Sequence, residues 1–223
     1  MKTLAQDLIK FYAHLAPPVL PKHIEILHPQ PNLQVMDTVK RFFLKFYPDN
    51  KPRRLMLGIN PGRFGAGITG VNFTAPRQLT QYCGIDHGWG NGSELSAEFI
   101  YEMITAYGGA SSFYSDYFIG AVCPLGFMRA GKNINYYDDK SLQQAVTPFI
   151  TTSLKQQVKM GFQTDICFCI GEEKNYKFLS ALNEQHHYFR AIVPLPHPRF
   201  IMQYRRKKKE EYINKWLELL KMN

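Results

Sequence analysis

The chain is expected to fold as a three-layer α/β domain, with helices on both faces of a short parallel sheet of about four strands. Three observations predict this. Near-continuous apolar runs of strand length, at Arg54–Ile59, Tyr117–Val122, Ile166–Ile170 and Ala191–Val193, alternate with longer segments whose apolar residues recur every three or four positions. Glycine or proline closes the first three runs, and the Pro194–Pro198 stretch follows the fourth. The length of 223 residues suits one such domain, residues 1–223, better than two.

In chain order, Leu4, Leu8, Phe11, Tyr12 and Leu15 mark an amphipathic helix halted by Pro17-Pro18. A connector rich in Pro and His runs to about Asn32. Val35, Val39, Phe42, Phe43 and Phe46 mark a second helix, ended by Pro48-Asp49-Asn50 before the first strand. Gly84 to Gly92 reads as loop, and Ser93 as the cap of a helix running to Tyr107, with Gly108-Gly109 past its end. Leu125 to Tyr137 reads as loop after the second strand. Thr147-Pro148 has the form of an N-cap followed by proline at the first helical position, starting a helix that Gly161 closes. Helices over Glu172–Asn183 and Glu210–Leu220 complete the chain. If the strands are parallel, their C-terminal ends share one edge, bringing together Asn60, Pro124, Gly171 and the Pro196-His197-Pro198 turn.

The composition, 45% hydrophobic and 20% charged, is that of an ordinary globular protein. The balance of 27 Lys and Arg against 18 Asp and Glu, net +9, favours a polyanionic partner such as nucleic acid or an anionic membrane surface. Cys83, Cys123, Cys167 and Cys169 form no CxxC pair and read as buried thiols in a reducing compartment. The N-terminus lacks the form of a secretory signal, and no apolar run approaches a membrane span, so a soluble, cytoplasmic protein is expected.

The stretch Leu55–Phe73, LMLGINPGRFGAGITGVNF, is the most informative. Its Gly65-Ala66-Gly67-Ile68-Thr69-Gly70 is a literal G-x-G-x-x-G, yet Asn60-Pro61-Gly62-Arg63-Phe64 separates it from the strand and Pro76 follows closely, which argues against a dinucleotide site. GINPGRFGAGITGVNF resembles the first motif of the single-strand-selective monofunctional uracil-DNA glycosylases, G-M-N-P-G-P-F-G…T-G-V-P-F, a branch of the uracil-DNA glycosylase superfamily. Cys123-Pro124-Leu125 is similar to that family's C-P-L, Gly131-Lys132-Asn133 to its G-R-N, and Leu195-Pro196-His197-Pro198 to the L-H-P-S-P of its second motif.

The resemblance implies a uracil-DNA glycosylase-like fold and a monofunctional DNA glycosylase with no metal or cofactor and no lyase step, since no catalytic lysine stands in the motifs. DNA is the implied partner, in single or double strands, and a monomer is expected. It implies that Asn60 places the attacking water, His197 bonds the departing base, and Phe73 stacks it, with Ile59, Gly62 and Ala121 on the substrate wall. Arg199 and Phe200 would occupy the segment that wedges into DNA, and Arg205, Arg206 and Lys207 would face phosphate. Two departures stand out. Ala121 occupies the place of a family asparagine that reads the uracil edge, so either the base is read otherwise or a larger deaminated purine, hypoxanthine or xanthine, is accommodated. His197-Pro198-Arg199-Phe200-Ile201 replaces H-P-S-P-R. Two competing readings are a non-catalytic module that binds DNA or nucleotides through the same pocket and an enzyme that hydrolyses free nucleosides.

Overall fold

The computed structural model describes residues 2–221. Near the N-terminus, α1 (Leu4–Ala13) opens with a capping box: Thr3 accepts the Gln6 backbone N–H, and the Gln6 side chain accepts that of Thr3. Asn32 caps α2 (Leu33–Phe46) by accepting from the backbone of Gln34 and Val35. The two helices pack together and bury Leu8, Tyr12, Val39, Phe42 and Phe43.

The central sheet is parallel, formed by β2 (Arg54–Gly58), β3 (Tyr117–Ala121), β6 (Gln163–Ile170) and β7 (Ala191–Leu195) in the order β3-β2-β6-β7, with helices packed against it. Leu55, Met56, Leu57, Cys167, Phe168 and Cys169 are wholly buried, as the apolar runs require of strands covered on both faces. Pairing outlasts the strands, because Val122 and Cys123 donate to the carbonyls of Gly58 and Ile59. Pro194 is tolerated because β7 is an edge strand.

Five expectations change. The connector before Asn32 contains β1 (Glu25–Leu27), and the expected loop of Leu125–Tyr137 contains β4 (Gly126–Arg129) and β5 (Lys132–Ile134), which form a separate antiparallel sheet in the order β1-β4-β5. The segment after Phe64 holds α3 (Ala66–Thr69) and α4 (Pro76–Cys83), and α5 (Leu95–Tyr107) begins after Glu94, not Ser93. A short α6 (Ala110–Asp116) precedes β3. Finally, α7 (Lys140–Val158) starts at Asp139, whose side chain accepts the Leu142 N–H at 3.0 Å; Thr147 is a helix-interior residue bonding back to the Gln143 carbonyl, and Pro148 lies inside the helix. After α8 (Lys174–His186) and β7, the presumed turn at His197 opens α9 (Pro198–Tyr204); a single 3₁₀ turn (Arg206–Lys208) then leads into α10 (Lys209–Leu220). Among the described residues no helix is long and apolar enough to cross a membrane.

Candidate active site

A cleft of about 960 Å³ opens at the C-terminal edge of the parallel sheet. Its wall includes Gly58, Ile59, Asn60, Gly62, Phe73, Ala121, His197, Arg199 and Phe200. Thus eight residues singled out in the sequence, spread over 142 positions from Ile59 to Phe200, meet at one edge, as parallel strands demand. Arg205, Arg206 and Lys207 are exposed and stand outside the cleft wall. Arg205 lies over the Phe200 ring at 5.6 Å, while Arg206 and Lys207 belong to the 3₁₀ turn just past α9.

Asn60 follows β2 on backbone that Pro61 keeps out of helix. Its amide has one orientation. Oδ1 accepts the Tyr136 N–H at 3.1 Å, and Nδ2 faces the carbonyls of Pro61 and Ile134 at 3.3 and 3.4 Å. Tyr136 is itself fixed, since its buried hydroxyl donates to Asn175 Oδ1 at 2.8 Å and Asn175 Nδ2 bonds the end of β6 at the Ile170 carbonyl. The β5 segment, expected to be loop, therefore supplies the clamp on Asn60.

His197 is the N-cap of α9. Its Nδ1 accepts the Arg199 backbone N–H at 3.1 Å, so the neutral ring carries its proton on Nε2. Burial, with a smaller contribution from the Arg199 charge, pushes its pKa from 6.5 down to about 4, so the ring is neutral near pH 7. The Phe73 and His197 rings lie 6.1 Å apart, tilted by 47°.

Phe73 has φ +52°, in the left-handed region that a bulky side chain rarely enters. It is half-buried and lines the cleft, its ring laid across Gly58: a Cβ on Gly58 would stand 2.6 Å from Phe73 Cε2. Ala121 lies opposite Gly58 in the strand register and is 2% exposed, so this part of the wall is small and apolar.

Several cleft residues were assigned no role from the sequence. Glu94, the N-cap of α5, makes no capping bond with its own helix; its carboxyl packs on Gly65, where a Cβ would come within 2.3 Å of Oε1. Burial pushes its pKa up to about 7 against the opposing pull of Arg199. Asn72 donates to the Tyr12 hydroxyl at 3.0 Å. Lys132 and Lys174 also line the cleft, both exposed. The G-x-G-x-x-G forms only the single turn of α3, ended by Gly70 at φ +75°, unlike the several-turn helix of a dinucleotide site.

A family model described as "Uracil DNA glycosylase superfamily" matches residues 44–221. The chain belongs to that superfamily. The structure of SMUG2 from Pedobacter heparinus, solved by crystallography, is similar to it, with 45% identity over 99% of this chain and 98% of that one and a TM-score of 0.96. A search of curated proteins by sequence finds no match. As a SMUG-like member of the superfamily, the protein is a DNA glycosylase for deaminated bases, and DNA is its substrate. From the glycine-rich stretch, Gly58, Gly62 and Ala66 line the cleft of this glycosylase.

Proposed function

We propose that the protein hydrolyses the N-glycosidic bond of a flipped uracil, hypoxanthine or xanthine in DNA, as the first step of base excision repair, without cutting the strand. The observation that carries this is the convergence in one cleft of an amide of fixed orientation, Asn60, and a neutral imidazole with its proton on Nε2, His197. When the glycosidic bond breaks, its electron pair leaves on the base, and positive charge builds on the sugar. One lone pair of Asn60 Oδ1 is taken by Tyr136, and the other is available to orient a water toward C1′. An amide is a poor base, so the water attacks a sugar whose bond is already largely broken and releases its proton to solvent. The Nε2–H of His197 donates to the carbonyl oxygen on which the departing base concentrates charge. The neutral ring is sufficient for that task, because the Nε2–H that donates to the anion is present without a second ring proton.

Phe73 supplies the face on which the extruded base stacks, a contact worth about 1 to 3 kcal/mol. Ala121 supports a broadened specificity. A methyl group cannot form the two hydrogen bonds an asparagine would offer uracil, and it leaves width for a second ring. The two cleft lysines are exposed and so lack the desolvation that activates an amine nucleophile, which supports hydrolysis without a lyase step.

Oligonucleotides carrying one uracil, hypoxanthine or xanthine, in single and double strands, test the reading. Alkali-labile abasic sites are expected with at least one deaminated purine, and strand breaks only after alkali. Equal rates in wild type and Asn60→Ala would refute the water-placing role; cleavage of uracil alone would refute the broadened specificity.

A further inference from the structure

Phe64 is 53% exposed, Phe200 43% and Tyr204 67%, and all three line the cleft. Val19, Leu33 and Leu44, the exposed large aliphatic residues, lie outside its wall. Scattered apolar residues on a surface are ordinary, but three exposed aromatics gathered at one opening are not scatter. They form two groups. Phe64 stands on the lip after β2, with the Arg63 guanidinium over its ring at 4.4 Å. Phe200 and Tyr204 are one helical turn apart on α9, their rings 5.8 Å from each other, with Arg205 over Phe200 at 5.6 Å. β6 separates β2 from β7 in the sheet, so the two groups rise from different parts of the rim.

An exposed ring face beside a guanidinium matches an unpaired nucleotide: the ring stacks the base, and the cation meets its phosphate. We propose that Phe64 and the Phe200–Tyr204 pair stack the nucleobases on the two sides of the extruded nucleotide, so that the cleft grips three or more consecutive nucleotides of one strand. The inference rests on the glycosylase reading above but concerns neighbours of the reacting nucleotide, not its chemistry. Charge supports this occupant. Arg63, Arg199, Arg205, Arg206 and Lys207 lie on or beside the aromatic lips. Glu98, Glu172 and Glu173 elsewhere on the wall repel phosphate and direct the backbone to the arginine side.

The test uses the full chain carrying Asn60→Ala and a single-stranded oligonucleotide with one deaminated base and a 2-aminopurine immediately 5′ or 3′ of it. Binding is expected to quench the probe on both flanks. Phe64→Ala should abolish the quench on one flank only, and Tyr204→Ala on the other only, each weakening affinity about tenfold. Tyr204→Phe should retain it, showing that the ring is what matters. All positions are exposed, and unchanged thermal unfolding confirms that the variants fold. Quenching that neither alanine variant alters, or no quenching at all, overturns the inference. Wild-type excision is measured in parallel on the same sequences. Abasic product without flank-specific quenching removes only this inference, whereas flank-specific quenching without product removes the glycosylase reading and leaves the aromatic grip standing.

Discussion

The two ends of β2 are built on opposite principles. Just before its first residue, Arg53 is 2% exposed, and its guanidinium bonds the Tyr114 carbonyl and Asp49 at 2.8 Å, the Lys51 carbonyl at 2.9 Å and the Phe46 carbonyl at 3.4 Å, over the Tyr47 ring, which with Phe42 packs edge-on against Tyr114. Each of the three guanidinium nitrogens is paired inside the protein. Just past its last residue, Asn60 keeps a lone pair free, His197 points its proton at no protein acceptor among the described residues, and Phe73 holds a left-handed backbone. Five residues of strand separate a site of stability from the proposed site of chemistry. Groups left unsatisfied at one end are tolerated because the other end and the core around it hold the strand in place.

The contrast breaks most clearly at Asn60. Asn60→Ala and His197→Ala are each expected to slow base excision about 10²- to 10³-fold, the scale of losing one positioned polar group in a preorganised site. Thermal unfolding should fall by only about 3 °C, since each change removes roughly one hydrogen bond or cap. Single-turnover rates and melting curves on the same preparations check both. Arg53→Ala is the mirror image. Leaving the buried Tyr114 and Phe46 carbonyls and the part-buried Lys51 carbonyl without their donor should cost about 3 kcal/mol, lowering the melting temperature by roughly 6 to 12 °C, while excision per folded molecule stays at the wild-type rate. A large rate loss in the folded Arg53 variant would show that the two ends are coupled.

Gly58→Ala tests the chemical end with a smaller step. The new methyl would meet the Phe73 ring at 2.6 to 3.0 Å, and the ring must leave the face proposed to stack the base. The expected result is a rise in KM of about tenfold with a lesser change in kcat, the pattern of lost stacking rather than lost water placement. Phe73→Leu should produce a similar loss, and the two changes together little more than either alone, because both remove one surface.

How much of this was legible follows from range. The apolar runs at Leu55–Gly58 and Ile166–Ile170 declare buried parallel strands, and parallel strands alone suffice to bring Asn60 and His197 to one edge. The second sheet was not legible, because β1, β4 and β5 are three or four residues long, and β1 finds its partner about a hundred positions away. The cap-and-proline form of Thr147-Pro148 lies inside α7, whereas at His197-Pro198 the same pair does begin a helix. Histidine is seldom a capping residue, and only the Arg199 N–H pointing at Nδ1 reveals the role. That missed helix is also why Tyr204 gave no signal: the pairing of Phe200 with Tyr204 needs a helical turn. Glu94 left none either, since an acid near a helix start is ordinary until its carboxyl is seen packed on Gly65.

The smallest expected effects lie in pH, and they set the two cleft titrations apart. His197, whose pKa falls from 6.5 to about 4 on folding, binds its proton less readily in the native state than in the unfolded one. Its contribution to stability is thus present above pH 6.5 and lost as pH falls toward 4. Glu94 has the opposite sign. Its pKa rises from 4.5 to about 7, so its contribution is full below pH 4.5 and disappears as pH rises through 7. Glu94→Gln should therefore match wild type in melting temperature near pH 5 and exceed it at pH 8, and His197→Gln should lose the acid-side slope between pH 6.5 and 4. In activity, excision is expected to show no acid inflection near 6.5, because His197 stays a neutral donor until about pH 4. An inflection at 6.5 that His197→Gln removes would mean that the imidazole is protonated in the working enzyme, and the neutral-donor mechanism would fail.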